Sequence, residues 1–110
     1  MTDDRIDEIK SAIEAADHIP AEHKAELLRH LSKIKPALGD AAQTHKDDAR
    51  TVANLVQSST EEATRKDKRP ERVERAVREL KESVEKFEAS HPDLTAFVNR
   101  YSTLLSALGI

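Results

Sequence analysis

The feature of this sequence that most constrains its fold is the spacing of its apolar residues, which recur three and four positions apart along most of the chain. That period puts one apolar stripe on each helix, whereas no segment shows the alternation with β-branched enrichment that predicts a strand. Only two glycines and four prolines occur, and nearly all of them lie where helices are expected to begin or end. The pattern predicts an all-α protein whose helices each have one apolar face and one charged face.

The first three helices can be placed from these stripes and from their end signals. The first is predicted over about 3–16, with Thr2 as its N-cap. The second begins near Pro20, since proline is tolerated in a first turn, and Gly39 is predicted to end it in a left-handed conformation. The third then covers about 40–66 and is the longest helix, about 40 Å at 1.5 Å per residue.

The stripe of the third helix steps strictly by three and four residues and consists mostly of small side chains. Such a seam allows close approach and shallow left-handed crossing, and we expect one continuous helix, with a break at Ser59 as the alternative. Because this helix is longer than the first two can cover, we expect a second copy of the chain to cover the rest, as a homodimer. The stripe consists of Ala42, His45, Ala49, Val52, Val56, Ser59 and Ala63.

The fourth and fifth helices follow a charged turn that ends at Pro70. The apolar residues of the fourth again step by four and three, and the segment 90–93 ends that helix and starts the next. The fifth helix is predicted over about 92–108 and has the richest apolar stripe, in which Tyr101 is expected to pack with its hydroxyl reaching the edge. Ile110 is expected to fold back onto the last turn.

Short connections imply antiparallel neighbours, so the chain is predicted to form one domain. The expected fold class is an up-and-down helical bundle of four to five amphipathic helices with coiled-coil-like heptad packing. The predicted parts of this domain are an N-terminal helix pair over 1–39, a long helical hairpin over 40–90 and a C-terminal helix over 91–110.

Composition excludes several classes of function. Eighteen basic and 21 acidic residues give a net charge of −3, which argues against a general binder of nucleic acid or anionic membranes. The acidic N-terminus lacks the apolar region of a signal peptide, and no apolar run approaches the roughly 20 residues of a membrane span, so a cytoplasmic location is expected. Because the chain has no cysteine, disulfides, thiolate catalysis and cysteine metal sites are excluded.

No residue pattern predicts catalysis, a metal or a cofactor. His23 and His30 share a helix face without a third ligand, so they are expected to be exposed or half-buried. Glu88 and His91 have the Glu-x-x-His spacing of di-iron bundles, but those sites need two such motifs and further glutamates. No nucleophile–base arrangement or glycine-rich phosphate loop occurs, and we expect a protein that is not an enzyme.

Two groups of residues are candidates for interaction. His45 lies on the seam of the third helix and is expected to be a buried, hydrogen-bonded histidine; a pH-sensitive contact between helices or subunits is the alternative. His91 is expected simply to start a helix, with a metal or pH sensor as the alternative.

The basic stretch from Arg65 to Arg75 is interrupted by acids and lacks aromatics, so a solvated turn is expected and a small nucleic-acid or anion binder is the alternative. The candidate interaction residues are His45, Arg65, Lys68, Arg69, Arg72 and His91.

From Thr44 to the C-terminus the sequence resembles the domain-of-unknown-function family 4404, a group of short bacterial helical proteins. The specific parts are Phe87-Glu-Ala-Ser-His-Pro92 and the terminal Leu108-Gly-Ile110. The resemblance implies a bacterial origin and a compact helical protein, and it implies no reaction, ligand or partner. The leading hypothesis is therefore a non-enzymatic interaction or assembly module, a homodimer that presents charged helix faces to an unidentified protein partner.

Overall fold

The computed structural model describes the backbone of residues 2–109 and the side chains of residues 5–108. Over that part it contains five α-helices and no strand, so the predicted all-α helical bundle is confirmed. The predicted cap at Thr2 and the predicted packing of Ile110 lie outside the described side chains. The helices are α1 (Thr2–Ala15), α2 (Ala21–Thr44), α3 (Lys46–Thr64), α4 (Pro70–Glu85) and α5 (Pro92–Gly109).

The bundle is built around α3, which contacts each of the other four helices. Around it, α2 lies between α1 and α5, and α5 lies between α2 and α4. The molecule measures 38 × 25 × 19 Å. None of its described helices combines the length and the apolar character needed to span a membrane.

The helix connections gather at two ends of the bundle. At the first, which we call the histidine end, the α2–α3 junction at His45 meets the α4–α5 connection, and the His45 and Phe87 ring centroids are 5.8 Å apart. At the second, the arginine end, the α1–α2 loop meets the α3–α4 turn at residues 65–69, and a His18 ring nitrogen is hydrogen-bonded to the carbonyl oxygen of Thr64.

The predicted stripes form one core. The apolar residues of all five helices join in a single buried cluster, which Tyr101 fills as its largest side chain. The Tyr101 hydroxyl does not reach the edge as expected: it is fully buried and lies 2.6 Å from Oγ1 of Thr60. Because Thr60 Oγ1 donates to the carbonyl oxygen of Val56, the tyrosine is the donor in this contact. Burial raises the pKa of Tyr101 above its usual range.

The predicted end of the second helix at Gly39 is wrong. α2 continues through Pro36 and Gly39 to Thr44, and no described glycine has a positive φ. Continuation keeps Leu38 and Ala41 fully buried on the same stripe, and burial of this stripe offsets the helix penalties of about 1 kcal/mol for a glycine and about 3 kcal/mol for a proline. The boundary between the predicted N-terminal pair and the hairpin therefore moves to His45.

His45 is the residue at which the two helices separate. Its φ and ψ of −134° and 63° are non-helical. Its amide donates to the carbonyl oxygen of Ala41 at 2.8 Å, and its own carbonyl accepts from the amide of Ala49 at 2.9 Å. The hydrogen-bond ladders of both helices thus close on this residue, and the chain changes direction here without an intervening loop.

The moved boundary removes the length argument for a second copy. α3 has 19 residues and is continuous through Ser59, so it is about 29 Å long at 1.5 Å per residue. That length is within reach of its neighbours in the bundle. Self-association therefore needs support from another feature of the molecule.

Candidate functional site

Two grooves lie along the seam between α2 and α5. The larger, of about 340 Å³, is near the histidine end, and its lining includes Asp40 from α2 and His91 and Asp93 from the start of α5. The smaller, of about 150 Å³, is near the arginine end and is lined mainly by apolar side chains. We call the surface that contains both grooves the α2–α5 face, defined by Glu26, His30, Lys33, Ala37 and Asp40 of α2 and by Asp93, Phe97, Arg100, Leu104 and Leu108 of α5.

The two helices of this face run antiparallel in a definite register. Leu27 and Leu104 line the same groove, and the ammonium of Lys33 lies 5.9 Å from the ring centroid of Phe97. Leu27 and Lys33 are six residues apart along α2, and their partners are seven residues apart in the opposite direction along α5. His30 is therefore level with Arg100 at the middle of the face.

Partly exposed apolar side chains are concentrated on this face. Of the seven partly buried apolar residues that pack against the core in the described part of the chain, four lie here: Ala37, Phe97, Leu104 and Leu108. The apolar stripe of α5 is wider than the face that packs on the core. Leu94 and Leu105 are buried in the core, and the apolar residues at the edge of the stripe lie at the seam with α2.

His30 lies at the middle of the face and is only 6% exposed. Its Nδ1 has no hydrogen-bond partner, and its Nε2 is 3.9 Å from a carboxylate oxygen of Glu26. Burial is the main cause that lowers the pKa of His30; Arg29 and Lys33 lower it further, Glu26 opposes the shift, and Arg100 adds to it. The ring is therefore neutral at pH 7.

The expectation that His30 is exposed or half-buried is wrong. A signal for its burial exists in the sequence: position 30 lies three residues after Leu27 and four before Ile34, so it adjoins the apolar stripe. What periodicity could not show is that α5 packs on this flank of α2.

His45 and His91 are brought together at the histidine end. Their ring centroids are 6.2 Å apart, and each ring packs edge-on near the buried ring of Phe87. The expectation that His45 is buried on the α3 seam is wrong, because the helix break at this residue takes it off the stripe and leaves it exposed. His91 is half-buried and precedes the first residue of α5.

The chemistry of this histidine pair is limited by its neighbours. Nδ1 of His45 lies 2.9 Å from the hydroxyl of Thr44, and Nδ1 of His91 lies 3.1 Å from that of Ser90. Among the side chains described, no group of three histidine, cysteine, aspartate or glutamate residues is arranged to hold a metal ion. What the arrangement does is pack three rings edge to face over the end of the core.

The basic candidates lie at the opposite end of the molecule. Arg65, Lys68, Arg69 and Arg72 are exposed on the α3–α4 turn and the first turn of α4. The Nε of Arg65 donates to a carboxylate oxygen of Asp67 at 3.3 Å, and this contact lowers the pKa of Asp67. The candidate residues thus form two separate groups, and of them only His91 lines a groove of the α2–α5 face.

Comparison with known protein families gives a match over most of the chain. The model of a family described as a domain of unknown function, DUF4404, matches residues 26–110, which include α3, α4, α5 and most of α2. No curated protein and no solved structure matches the chain significantly. The matched range contains all the residues that define the α2–α5 face, from Glu26 in α2 to Leu108 in α5.

Proposed function

The chain belongs to the DUF4404 family, and we propose that it is a non-enzymatic helical interaction module that self-associates through the α2–α5 face. The observation that carries this proposal is the concentration of half-buried Phe97, Leu104 and Leu108 on one side of the molecule. Apolar side chains at the centre of a surface with charged residues around them are the usual anatomy of a protein interface.

The charges around the apolar residues suit this role. Glu26 and Lys33 lie along the α2 flank, and Asp40 and Asp93 lie around the larger groove. Groups of both signs on one face can set the orientation of a partner, because like charges brought together cost free energy and opposite charges do not.

The non-enzymatic part of the proposal is supported by the surroundings of the hydroxyl–imidazole pairs. Both pairs, Thr44 with His45 and Ser90 with His91, join neighbours in sequence. Among the described side chains neither imidazole has a carboxylate partner that would orient it as a general base, which is the usual requirement for an activated hydroxyl.

A second candidate function is a small nucleic-acid or anion binder acting through the arginine end. Its support is the exposure of five basic residues against two acidic ones over residues 65–72. The net charge of −3 and the lack of aromatic side chains in this stretch weigh against it.

Light scattering coupled to size-exclusion chromatography, over a hundredfold range of concentration, tests the self-association. We expect a dimer that Leu104→Glu converts to a monomer, because a charge at the centre of an apolar contact must be desolvated. Leu55→Glu is the matched control: Leu55 is also a partly buried leucine packed on the core, but it lines neither groove of the α2–α5 face.

Circular dichroism of both variants measures whether they remain helical and folded. A wild-type chain that stays monomeric throughout the concentration range contradicts the proposal. So does a dimer that Leu104→Glu leaves intact while Leu55→Glu dissociates it.

A further inference from the structure

We propose that two copies of the chain pair on the α2–α5 face about a twofold axis that lies in the interface, perpendicular to both helices, at the level of His30 and Arg100. This inference rests on the proposed self-association and adds its geometry. In this pairing α2 crosses antiparallel over α2 of the second copy, and α5 over α5.

The charges of α2 favour this orientation. Glu26 lies about one turn from His30 toward the arginine end, and Lys33 lies about one turn from it toward the histidine end. A rotation that exchanges the two ends places Lys33 of each copy opposite Glu26 of the other. The two contacts are equivalent by symmetry, as an isologous interface requires.

The apolar residues of α5 match under the same rotation. Phe97 lies about one turn from Arg100 toward the histidine end, and Leu104 lies about one turn from it toward the arginine end. The ring of Phe97 in one copy is therefore brought over Leu104 of the other. These two side chains are half-buried in the single chain, so pairing removes their remaining apolar surface from water.

The other twofold arrangement of the same face lacks the opposite-charge contacts and has a like-charge contact of its own, although it avoids the approach of Arg100 to Arg100 that the proposed axis produces. An axis parallel to the helices would keep like ends together and put α2 of one copy over α5 of the other. Asp40 and Asp93 line the same groove, so that arrangement would bring Asp40 of each copy toward Asp93 of the other. It would give no contact between Lys33 and Glu26.

The size of the face is at the lower limit for a specific contact. α5 has 18 residues, which corresponds to about 27 Å, and two helices side by side are about 20 Å wide. The flat area is thus about 500 Å² on each copy, or about 1,000 Å² in total, before the relief of the side chains is counted, and a specific interface buries about 1,000 Å² or more in total.

Charge reversal with mixing tests the antiparallel pairing. Lys33→Glu alone places two glutamates opposite each other in each contact, and Glu26→Lys alone places two lysines there. We expect each variant to self-associate about tenfold or more weakly than wild type. In a one-to-one mixture, both contacts of the heterodimer join opposite charges, so the affinity should return toward that of wild type.

Native mass spectrometry of the two variants, one of them isotope-labelled, measures the heterodimer directly. Arg78→Glu, a reversal of an exposed charge on α4, is the control and should leave the dimer unchanged. A dimer whose affinity neither variant weakens, or a mixture that forms no more dimer than the variants alone, overturns the pairing while leaving the proposed function intact. A monomeric wild type overturns both.

Cysteine cross-linking gives a second measurement, because the natural chain has no cysteine. The axis brings the two copies of exposed position 100 to the same level, so Arg100→Cys should form a disulfide-linked dimer on mild oxidation. Arg78→Cys, away from the face, should not. Absence of the cross-link at position 100 in a protein that is still dimeric places the axis elsewhere.

Discussion

At the scale of single residues, His30 shows how the bundle changes the chemistry of one side chain. Its ring is held by burial in the neutral form, with Arg29, Lys33 and Arg100 adding positive charge around it and Glu26 partly compensating. The unpaired Nδ1 is consistent with a tautomer in which that nitrogen is the acceptor, since an unpaired acceptor costs less than an unpaired donor. A proton added to the His30 ring would create a positive charge that is buried and is repelled by the three basic side chains around it.

This environment predicts a loss of stability in acid. The pKa of His30 is lowered in the folded state, whereas histidine in the unfolded chain has a pKa of about 6.5. As the pH falls below that value, the unfolded chain takes up a proton that the folded one does not, so the free energy of unfolding decreases. The decrease should continue until the pH reaches the folded-state pKa.

Urea unfolding at pH 7.5 and pH 5.5 measures this effect. His30→Leu should lose less stability between the two pH values than wild type, because it removes the titrating group. His23→Leu, at an exposed position about two turns away on the same helix, is the control and should keep the wild-type pH dependence. Equal pH dependence in wild type and His30→Leu would falsify the prediction.

At the scale of the helices, α2 decides the shape of the bundle. It contains both Pro36 and Gly39, residues that usually mark a helix end, yet it continues for 24 residues. Its C-terminal half keeps Ile34, Leu38 and Ala41 in the core, and the connection to α3 is reduced to His45. The larger groove of the α2–α5 face lies between residues 33–40 of this helix and the start of α5.

Gly39→Ala tests the continuity of α2. In a helix interior alanine is preferred to glycine, so the variant should be about 0.5–1 kcal/mol more stable than wild type. If Gly39 instead ended the helix with a positive φ, the same substitution would destabilise the protein. The midpoint of thermal or urea unfolding distinguishes these two outcomes for Gly39→Ala. Gly109→Ala, at the last residue of α5, is measured beside it as a substitution at a helix end.

At the scale of the whole molecule, charge is distributed unequally between the two ends. Residues 40–48 and 85–93, at the histidine end, hold six carboxylates against two lysines. At the arginine end, the α3–α4 turn and the start of α4 over residues 65–72 hold five basic residues against two acidic ones, and the α1–α2 region over residues 14–22 adds three acidic residues. The candidate interaction residues are divided between these ends. The α2–α5 face runs along the side of the molecule, so self-association through it leaves most of the arginine end accessible.

Reversal of charge at the arginine end separates the two candidate functions. Arg69→Glu with Arg72→Glu should leave the dimer unchanged, since both residues are exposed outside the α2–α5 face. Fluorescence anisotropy with a short labelled RNA, between 50 and 300 mM salt, provides the second measurement. Binding that weakens steeply with salt and disappears in the double variant would support the nucleic-acid or anion binder instead.

The class of fold could be predicted from local spacing alone, with four to five helices expected. Apolar spacing of three and four residues is a local property, and the stripes that it identifies, from Ile6 to Leu105, are the residues that form the core. The proline signal at Pro92 also gave the correct start of α5, because a proline in a first turn costs no hydrogen bond.

Tertiary structure decided where α2 ends, which flank of each helix is covered and which histidines meet. Pro36 and Gly39 both disfavour the interior of a helix, but burial of the stripe that includes Leu38 and Ala41 overruled their local signals. The burial of His30, the exposure of His45 and the contact between His45 and His91 all depend on which helices become neighbours. That choice is made by packing between residues far apart in the chain, which the periodicity of a single helix does not encode.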